Sequence, residues 1–313
     1  MKKTALIFPG QGAQKSGMGK DLYDNSPAAR RVFDTANKVL GFDIKDMCFN
    51  GSDEDLMKTI NSQPAIVTVE LAAFEALKEQ SSVEYNAAAG HSLGEYSALY
   101  AAGAIDLEAV LKLIQKRAQL MNEAAEKTSG AMAAVIGLDD ESVKNLIKDM
   151  QNVYAANFNS PGQVVITGDK EAINSNFDKF KEAGAKRVIP LAVSGAFHSP
   201  LMKEASDNFV EFVNKFTFRN TDIPVYTNVD ANAETFGEEF KAKLPKQIFS
   251  SVLWTQTINN MAQNGITNYI EIGPGKVLAG LNKKINAELR TLNVFDWESL
   301  INTVNEIKEK ELV

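Results

Sequence analysis

The segment "AGHSLGE", residues 89–95, sets Ser92 between Gly90 and Gly94. A short apolar run, "YNAAAGHS" (85–92), precedes it, and the helical pattern "LGEYSALYAAGAI" follows. Strand, sharp turn, helix is the setting that pushes a serine Oγ out at a helix N-terminus. There, free N–H groups and the helix dipole favour developing negative charge. Side chains at the two glycines would collide with neighbouring backbone in so tight a turn. The chemistry implied is nucleophilic attack by serine, which needs a base. The chain has 2 histidines. His91 adjoins Ser92, and adjacent side chains on a tight turn diverge, so His91 is expected to pack the elbow. His198, in "SGAFHSPLM", is the expected base. No acidic residue stands out as a third member. The imidazole tautomer still has to be held, and a backbone carbonyl can accept the Nδ1–H in place of a carboxylate.

A glycine loop, "FPGQGAQKSGMG" (8–19), follows the strand-like "TALIF". Such loops cradle negative charge, either a phosphate or a transient oxyanion. The dinucleotide fingerprint fails, because Gly10 and Gly12 are followed by Lys15 where a third glycine is required. The phosphate loop G-x-x-x-x-G-K-[ST] fails too, because Met18 and Gly19 follow Gly17. The later "GPGK" (273–276) has too few residues before its lysine.

The elements that must position these residues alternate strand-like and helical over much of the chain, which predicts an α/β fold with a mostly parallel sheet. A helix is expected over 64–80, with Pro64 near its start, and another over 107–127, with Asp106 as N-cap. The middle differs. "GAMAAVIGL", "DDESVKNLIKDM" (capped by Asp139 or Asp140), "QNVYAANFN", "QVVITG", "DKEAINSNFDKFKEAG" and "KRVIPLAV" read β-α-β-β-α-β. That is the ferredoxin-like pattern, over residues 128–193, as a lobe inserted into the larger domain. A helix at 200–215, the strands "PVYTNV", "NYIEIG" and "LRTLNVF", and helices from about 254, from about 275 and at the end complete the pattern. The tail "NEIKEKEL" reads as a solvated helix face.

A net charge of −7 argues against nucleic acid as the main ligand, although a local basic patch is compatible with it. The single cysteine, Cys48, cannot form an internal disulfide and is expected to be a small buried apolar residue in a reducing compartment. No run approaches a membrane span, and the N-terminal apolar stretch is too short for a signal segment. A soluble, cytoplasmic protein is expected.

Together "FPGQGAQ", "GHSLGEYSAL", "KRAQLM", "NFNSPGQVVITG", "FHSPLM" and "EIGPGKVL", spread from residue 8 to 278, resemble the malonyl-CoA:acyl carrier protein transacylase family of fatty acid synthesis. The resemblance covers nearly the whole chain. It implies a hydrolase-like core formed by residues 1–127 and 194–313, with the ferredoxin-like subdomain inserted at 128–193. It implies that the loop serves an oxyanion, with backbone N–H groups from Gln11 and Leu93 as donors. It makes Arg117 the clamp for the free malonyl carboxylate, which suits a planar fork better than the point charge of lysine. It maps the carbonyl that orients His198 onto Gln247, near Ser251, which stands where many members have proline. Asn159 is expected to order the site from the inserted lobe. Phe197, with Leu93, resembles members that take malonyl rather than α-branched groups.

The implied reaction is malonyl transfer from malonyl-CoA to the thiol of acyl carrier protein, with no metal or redox cofactor, by a monomer. Lys186, Arg187, Lys283 and Lys284 are candidate docking residues for an acidic carrier. A serine esterase or thioesterase would share Ser92 and His198, and a non-catalytic carrier-binding subunit would not need them.

Overall fold

The computed structural model describes residues 3–193 and 195–309. Its strands are β1 (Lys3–Phe8), β2 (Ala87–Gly90), β3 (Gly130–Ile136), β4 (Val153–Ser160), β5 (Gln163–Asp169), β6 (Arg187–Pro190), β7 (Val225–Tyr226), β8 (Ala233–Glu234), β9 (Ile266–Ile272) and β10 (Arg290–Val294). The larger sheet runs β10-β9-β1-β2-β7-β8 and is parallel except at the β7–β8 edge. β2 is buried along its whole length, and β1 from Thr4 to Phe8. Both read as unbroken apolar runs because helices cover both faces of the sheet. They are neighbours, with Phe8 opposite Gly90. The glycine loop and the serine elbow therefore leave the same end of adjacent parallel strands, the carboxyl end where such sheets place ligands.

The smaller sheet is antiparallel, in the order β4-β5-β3-β6. Helices Asp140–Lys148, Lys170–Ser175 and Phe177–Glu182 fall between its strands, which gives the ferredoxin-like arrangement. Its own core includes Val135, Val164, Ile166 and Phe180. Ser194, where the implied second core segment begins, lies outside the described residues.

Several elements differ from expectation. The helix expected at 64–80 starts at Thr59, so Pro64 lies inside it. Pro64 is the sixth helical residue, so its missing N–H costs the helix one intrahelical bond, to the carbonyl four residues back. The helix expected at 169–184 breaks at Asn176, whose side chain donates to Ala172 O (2.7 Å). The helix at 200–215 opens as a 3-10 turn, Pro200–Met202, before Lys203–Val213. Four helices between Lys20 and Met57 had no counterpart in the sequence reading. Asp106 accepts from Ala109 N and Asp139 from Ser142 N (both 2.8 Å), so each caps its helix. Cys48 is buried, and burial pushes its thiol pKa up. In "NEIKEKEL", residues through Glu309 belong to helix Trp297–Glu309, and 310–312 lie outside the described residues.

The elbow glycines are required by backbone proximity. A Cβ on Gly90 would lie 1.9 Å from Gly94 C, and one on Gly94 would lie 2.3 Å from Phe8 O. Gly90→Ala should destabilise the protein by about 3 kcal/mol or more in urea denaturation. Gly280, inside helix Val277–Ile285, has nothing within 4 Å of its Cβ position. Gly280→Ala should therefore stabilise, by up to about 1 kcal/mol. Equal effects of the two would refute the steric account.

Candidate active site

Ser92 sits between β2 and helix Gly94–Ala101 with φ 51°, a left-handed conformation that non-glycine residues adopt only under constraint. His91 N–H holds the turn to β1 through Phe8 O (2.9 Å). Ser92 N–H donates to Asn228 Oδ1 (2.7 Å), and Asn228 Nδ2 donates to Gly90 O (2.6 Å). Asn228 follows β7, so the strand next to β2 clamps the elbow.

His198 approaches from a loop, also at positive φ (58°). Its N–H bonds Ile248 O (3.2 Å), and Ser199 Oγ donates to Ala196 O (2.6 Å). The ring joins Ser92 through Nε2, 2.8 Å from Oγ. Nδ1 lies 3.0 Å from Gln247 O and 3.1 Å from Ser250 O. A carbonyl only accepts, so Nδ1 carries the proton and Nε2 is free to take one from Ser92. Gln247 ends helix Gly237–Gln247, and terminal carbonyls of a helix lack intrahelical partners. The helix C-terminus also carries partial negative charge, which favours the imidazolium formed during reaction. Burial, reinforced by the Arg117 charge, holds the His198 pKa down at about 3. The resting imidazole is thus neutral across the physiological range.

Arg117 projects from helix Leu107–Lys127 and is 1% exposed. Nη1 donates to Gln63 Oε1 (2.5 Å), and Nη2 donates to Gln247 Oε1 (2.9 Å) and to Ser92 Oγ (3.1 Å). Nε is buried without a partner among the described residues. The nearest acid in this network is Glu95, in the first turn of the elbow helix. Its pKa is pushed up to about 7 by burial, against the hydrogen bonds from Gln247 and Asn228 and the Arg117 charge.

A cavity of about 640 Å³ opens over these groups, lined by Gln11, Ser92, Arg117, Met121, Phe197 and His198 among others. The Gln11 side chain is tied to Thr59 Oγ1 (3.3 Å), while the backbone N–H groups of Gln11 and Leu93 have no partner among the described residues. Phe197 is buried at the wall, and a Cβ on Gly195 would lie 2.6 Å from its ring. Asn159 does not line the cavity. Its Oδ1 lies 2.8 Å from His91 Nε2, while Asn157 of the same strand reaches the lining. The His91 ring also packs on Trp254, with centroids 5.7 Å apart. His91 therefore ties the elbow to the small sheet.

The structure thus gathers Ser92, His198, Arg117, Gln11, Phe197 and Gln247 at one site. Gln63, Asn228 and Ser250 were not singled out from sequence. Ser250 contributes a carbonyl, which no side-chain type encodes. Glu95 stood in the quoted motif without a role. The "GPGK" segment leads into helix Val277–Ile285, whose Leu278 and Ala279 N–H groups are both taken by Glu271 (2.9 and 2.8 Å). The chain's own carboxylate fills that anion position. Among the described residues no group of acidic, histidine or cysteine side chains could hold a metal, and no helix is long and apolar enough to cross a membrane.

The pattern of the acyl transferase domain matches residues 5–297, which sets the class of this fold and site. The malonyl CoA-acyl carrier protein transacylase of Bacillus subtilis is 43% identical, covering 99% of both chains. That of Staphylococcus aureus is 44% identical over 96% of this chain and 98% of its own. The structure of an acyl carrier protein S-malonyltransferase from Vibrio cholerae superposes with a TM-score of 0.92 at 42% identity, covering 96% of this chain and 99% of that one. A malonyl-transacylase in complex with its type II PKS acyl-carrier protein superposes with a TM-score of 0.94 at 41% identity, covering 97% and 99%. The chain belongs to the malonyl CoA-acyl carrier protein transacylase family.

The depressed His198 pKa has a measurable consequence. The rate at which a fluorophosphonate labels Ser92 should stay level from about pH 8 to well below the ordinary imidazole midpoint near 6.5. Arg117→Ala removes one depressing cause and should move the acid limb upward. A limb already near 6.5, unmoved by Arg117→Ala, would contradict the assignment.

Proposed function

We propose that this protein transfers a malonyl group from malonyl-CoA to the phosphopantetheine thiol of acyl carrier protein through a Ser92 acyl-enzyme, supplying fatty acid synthesis. The observation that carries this is the pair of groups meeting at one oxygen. Ser92 Oγ lies 2.8 Å from His198 Nε2 and 3.1 Å from Arg117 Nη2. A base beside a nucleophile serves any acyl transfer. A buried guanidinium on the same oxygen suits an acyl group whose far end is a carboxylate.

The Ser92 proton passes to His198 Nε2 as Oγ attacks the thioester carbon. Gln11 and Leu93 N–H groups hold the tetrahedral oxyanion, the kind of contribution whose loss costs ~10²–10³ in rate. The C–S bond breaks, and coenzyme A leaves with the proton from Nε2. The carrier thiol then gives its proton to Nε2 and attacks the acyl carbon. The C–O bond breaks, and the proton returns to Ser92 Oγ. Arg117 holds the malonyl carboxylate through N–H groups that now meet Ser92 or lack a partner. Phe197 crowds the space an α-branch would need. Asn159 steadies the elbow through His91. Nothing in this sequence requires a metal or redox cofactor.

The carrier is met by a basic surface. Lys186, Arg187, Lys283 and Lys284 are all exposed. Arg187 and Gln163 both pair with Ile136 in the small sheet, and Lys284 Nζ donates to Gln163 Oε1 (3.0 Å). Both pairs therefore border one end of that sheet and bring four positive side chains to one region of a chain of net charge −7.

Ser92→Ala should lower malonyl transfer by at least ~10⁴-fold in a steady-state assay, and retention of transfer would remove Ser92 from its role. Arg117→Ala should cut the preference for malonyl over acetyl thioesters by about 10-fold or more, as expected for lost charge-assisted bonds. Unchanged selectivity would end the clamp assignment. Charge reversal at Lys186–Arg187 and at Lys283–Lys284 should raise KM for carrier protein several-fold without changing acylation by malonyl-CoA. No change at either pair would place the dock elsewhere.

A further inference from the structure

We propose that Glu95 is a positioning residue that holds the nucleophile, the base and the carboxylate clamp in register through a single buried oxygen. This rests on the Ser92–His198 assignment above. Glu95 is 2% exposed and does not line the cavity, so it acts through other groups. Its Oε2 accepts from Gln247 Nε2 (2.8 Å) and from Asn228 N (3.0 Å).

Each partner reaches a different part of the site. Asn228 holds the elbow from both sides, accepting from Ser92 N (2.7 Å) and donating to Gly90 O (2.6 Å). Gln247 bonds Ser92 O through Nε2 (2.9 Å), accepts from Arg117 Nη2 through Oε1 (2.9 Å), and offers its carbonyl to His198 Nδ1 (3.0 Å).

The chemistry of the carboxylate decides the orientation of this network. An amide side chain has a donor end and an acceptor end. Oε2 of Glu95, which meets two donors, acts as an acceptor in either protonation state, so it captures the Nε2 end of Gln247 and leaves Gln247 Oε1 facing the guanidinium. With no acceptor at position 95, Ser92 O alone holds the Gln247 N–H₂ end, and the amide turns more easily towards Arg117, where two donors would oppose each other. The loss would be felt at once by the guanidinium, by the helix end that orients His198, and by the loop that clamps Ser92.

The test compares Glu95→Ala, Glu95→Gln and Glu95→Asp in the full-length protein, with Ser92→Ala as control. Three measurements are made: fluorophosphonate labelling rate per folded molecule, malonyl-over-acetyl preference, and melting temperature. Glutamine keeps an oxygen for both donors and should label within a few-fold of the parent. Alanine should label about 100-fold more slowly, the scale of a small misplacement of reacting groups, and should lose malonyl preference. Aspartate withdraws the oxygen by one methylene and should label at least ~10-fold more slowly while remaining folded, which keeps the test decisive if the alanine variant does not fold.

A Glu95→Ala or Glu95→Asp protein that melts lower but labels and discriminates like the parent would reduce Glu95 to a structural residue and overturn the proposal. Equal losses in Glu95→Gln and Glu95→Ala would overturn it too, because charge rather than the accepted hydrogen bonds would then be the cause. Ser92→Ala separates the two levels. If it still labels, the nucleophile assignment fails. If it is silent while Glu95→Ala and Glu95→Asp match the parent, only the role of Glu95 falls.

Discussion

The site depends on keeping the His198 proton on Nδ1. An imidazole that can acquire a serine proton must present a bare Nε2, and two backbone carbonyls, Gln247 O and Ser250 O, enforce that. Serine–histidine sites commonly use a carboxylate for this purpose. Here the end of a helix supplies it. The Gln247 carbonyl at that terminus accepts from Ser250 N–H (3.4 Å) and has a second lone pair for His198 Nδ1–H, so a helix-end carbonyl sets the tautomer. The consequence is electrostatic. Without a full negative charge beside the ring, burial and Arg117 keep the imidazole neutral.

The charged groups then form a separate layer. Arg117 and Glu95 are both buried, and buried charged groups are costly unless their donors and acceptors find partners. Gln63 and Gln247 each accept from Arg117, and Asn228 and Gln247 share the Glu95 oxygen. The donors still in play, those on Ser92 Oγ and the unpartnered Nε, are the ones available to an incoming carboxylate. In the proposed function, a guanidinium left incompletely satisfied inside this network is what would select a terminal carboxylate.

What could be read from the residues divides along physical lines. The elbow is readable because any Cβ at its glycines would fall within 2.5 Å of backbone atoms, so the motif and the geometry are one constraint. His198 followed from the scarcity of histidines. The parallel core and the small antiparallel sheet followed from apolar runs and their order. The helices between Lys20 and Met57 were missed although some signals were present. Ser26 caps Ala29 N with Pro27 next to it, and Gly41 ends the same helix at φ 75°. Pro64 imitates an N-terminal proline although the helix begins at Thr59. Asn228, Gln63 and the Ser250 carbonyl join the site only through tertiary contacts across long stretches of chain, and no local pattern marks them.

Ser92, His198 and the donor N–H groups would serve a hydrolase equally well, so the destination of the acyl group is the central claim. The direct measurement is the intact mass of the protein after malonyl-CoA is added, followed by a chase with holo acyl carrier protein. One malonyl adduct is expected, located on the Ser92 peptide, persisting in buffer and moving to the carrier thiol within the chase. An adduct that decays to free enzyme and malonate at the same rate with or without the carrier, or no adduct at all, would contradict that claim.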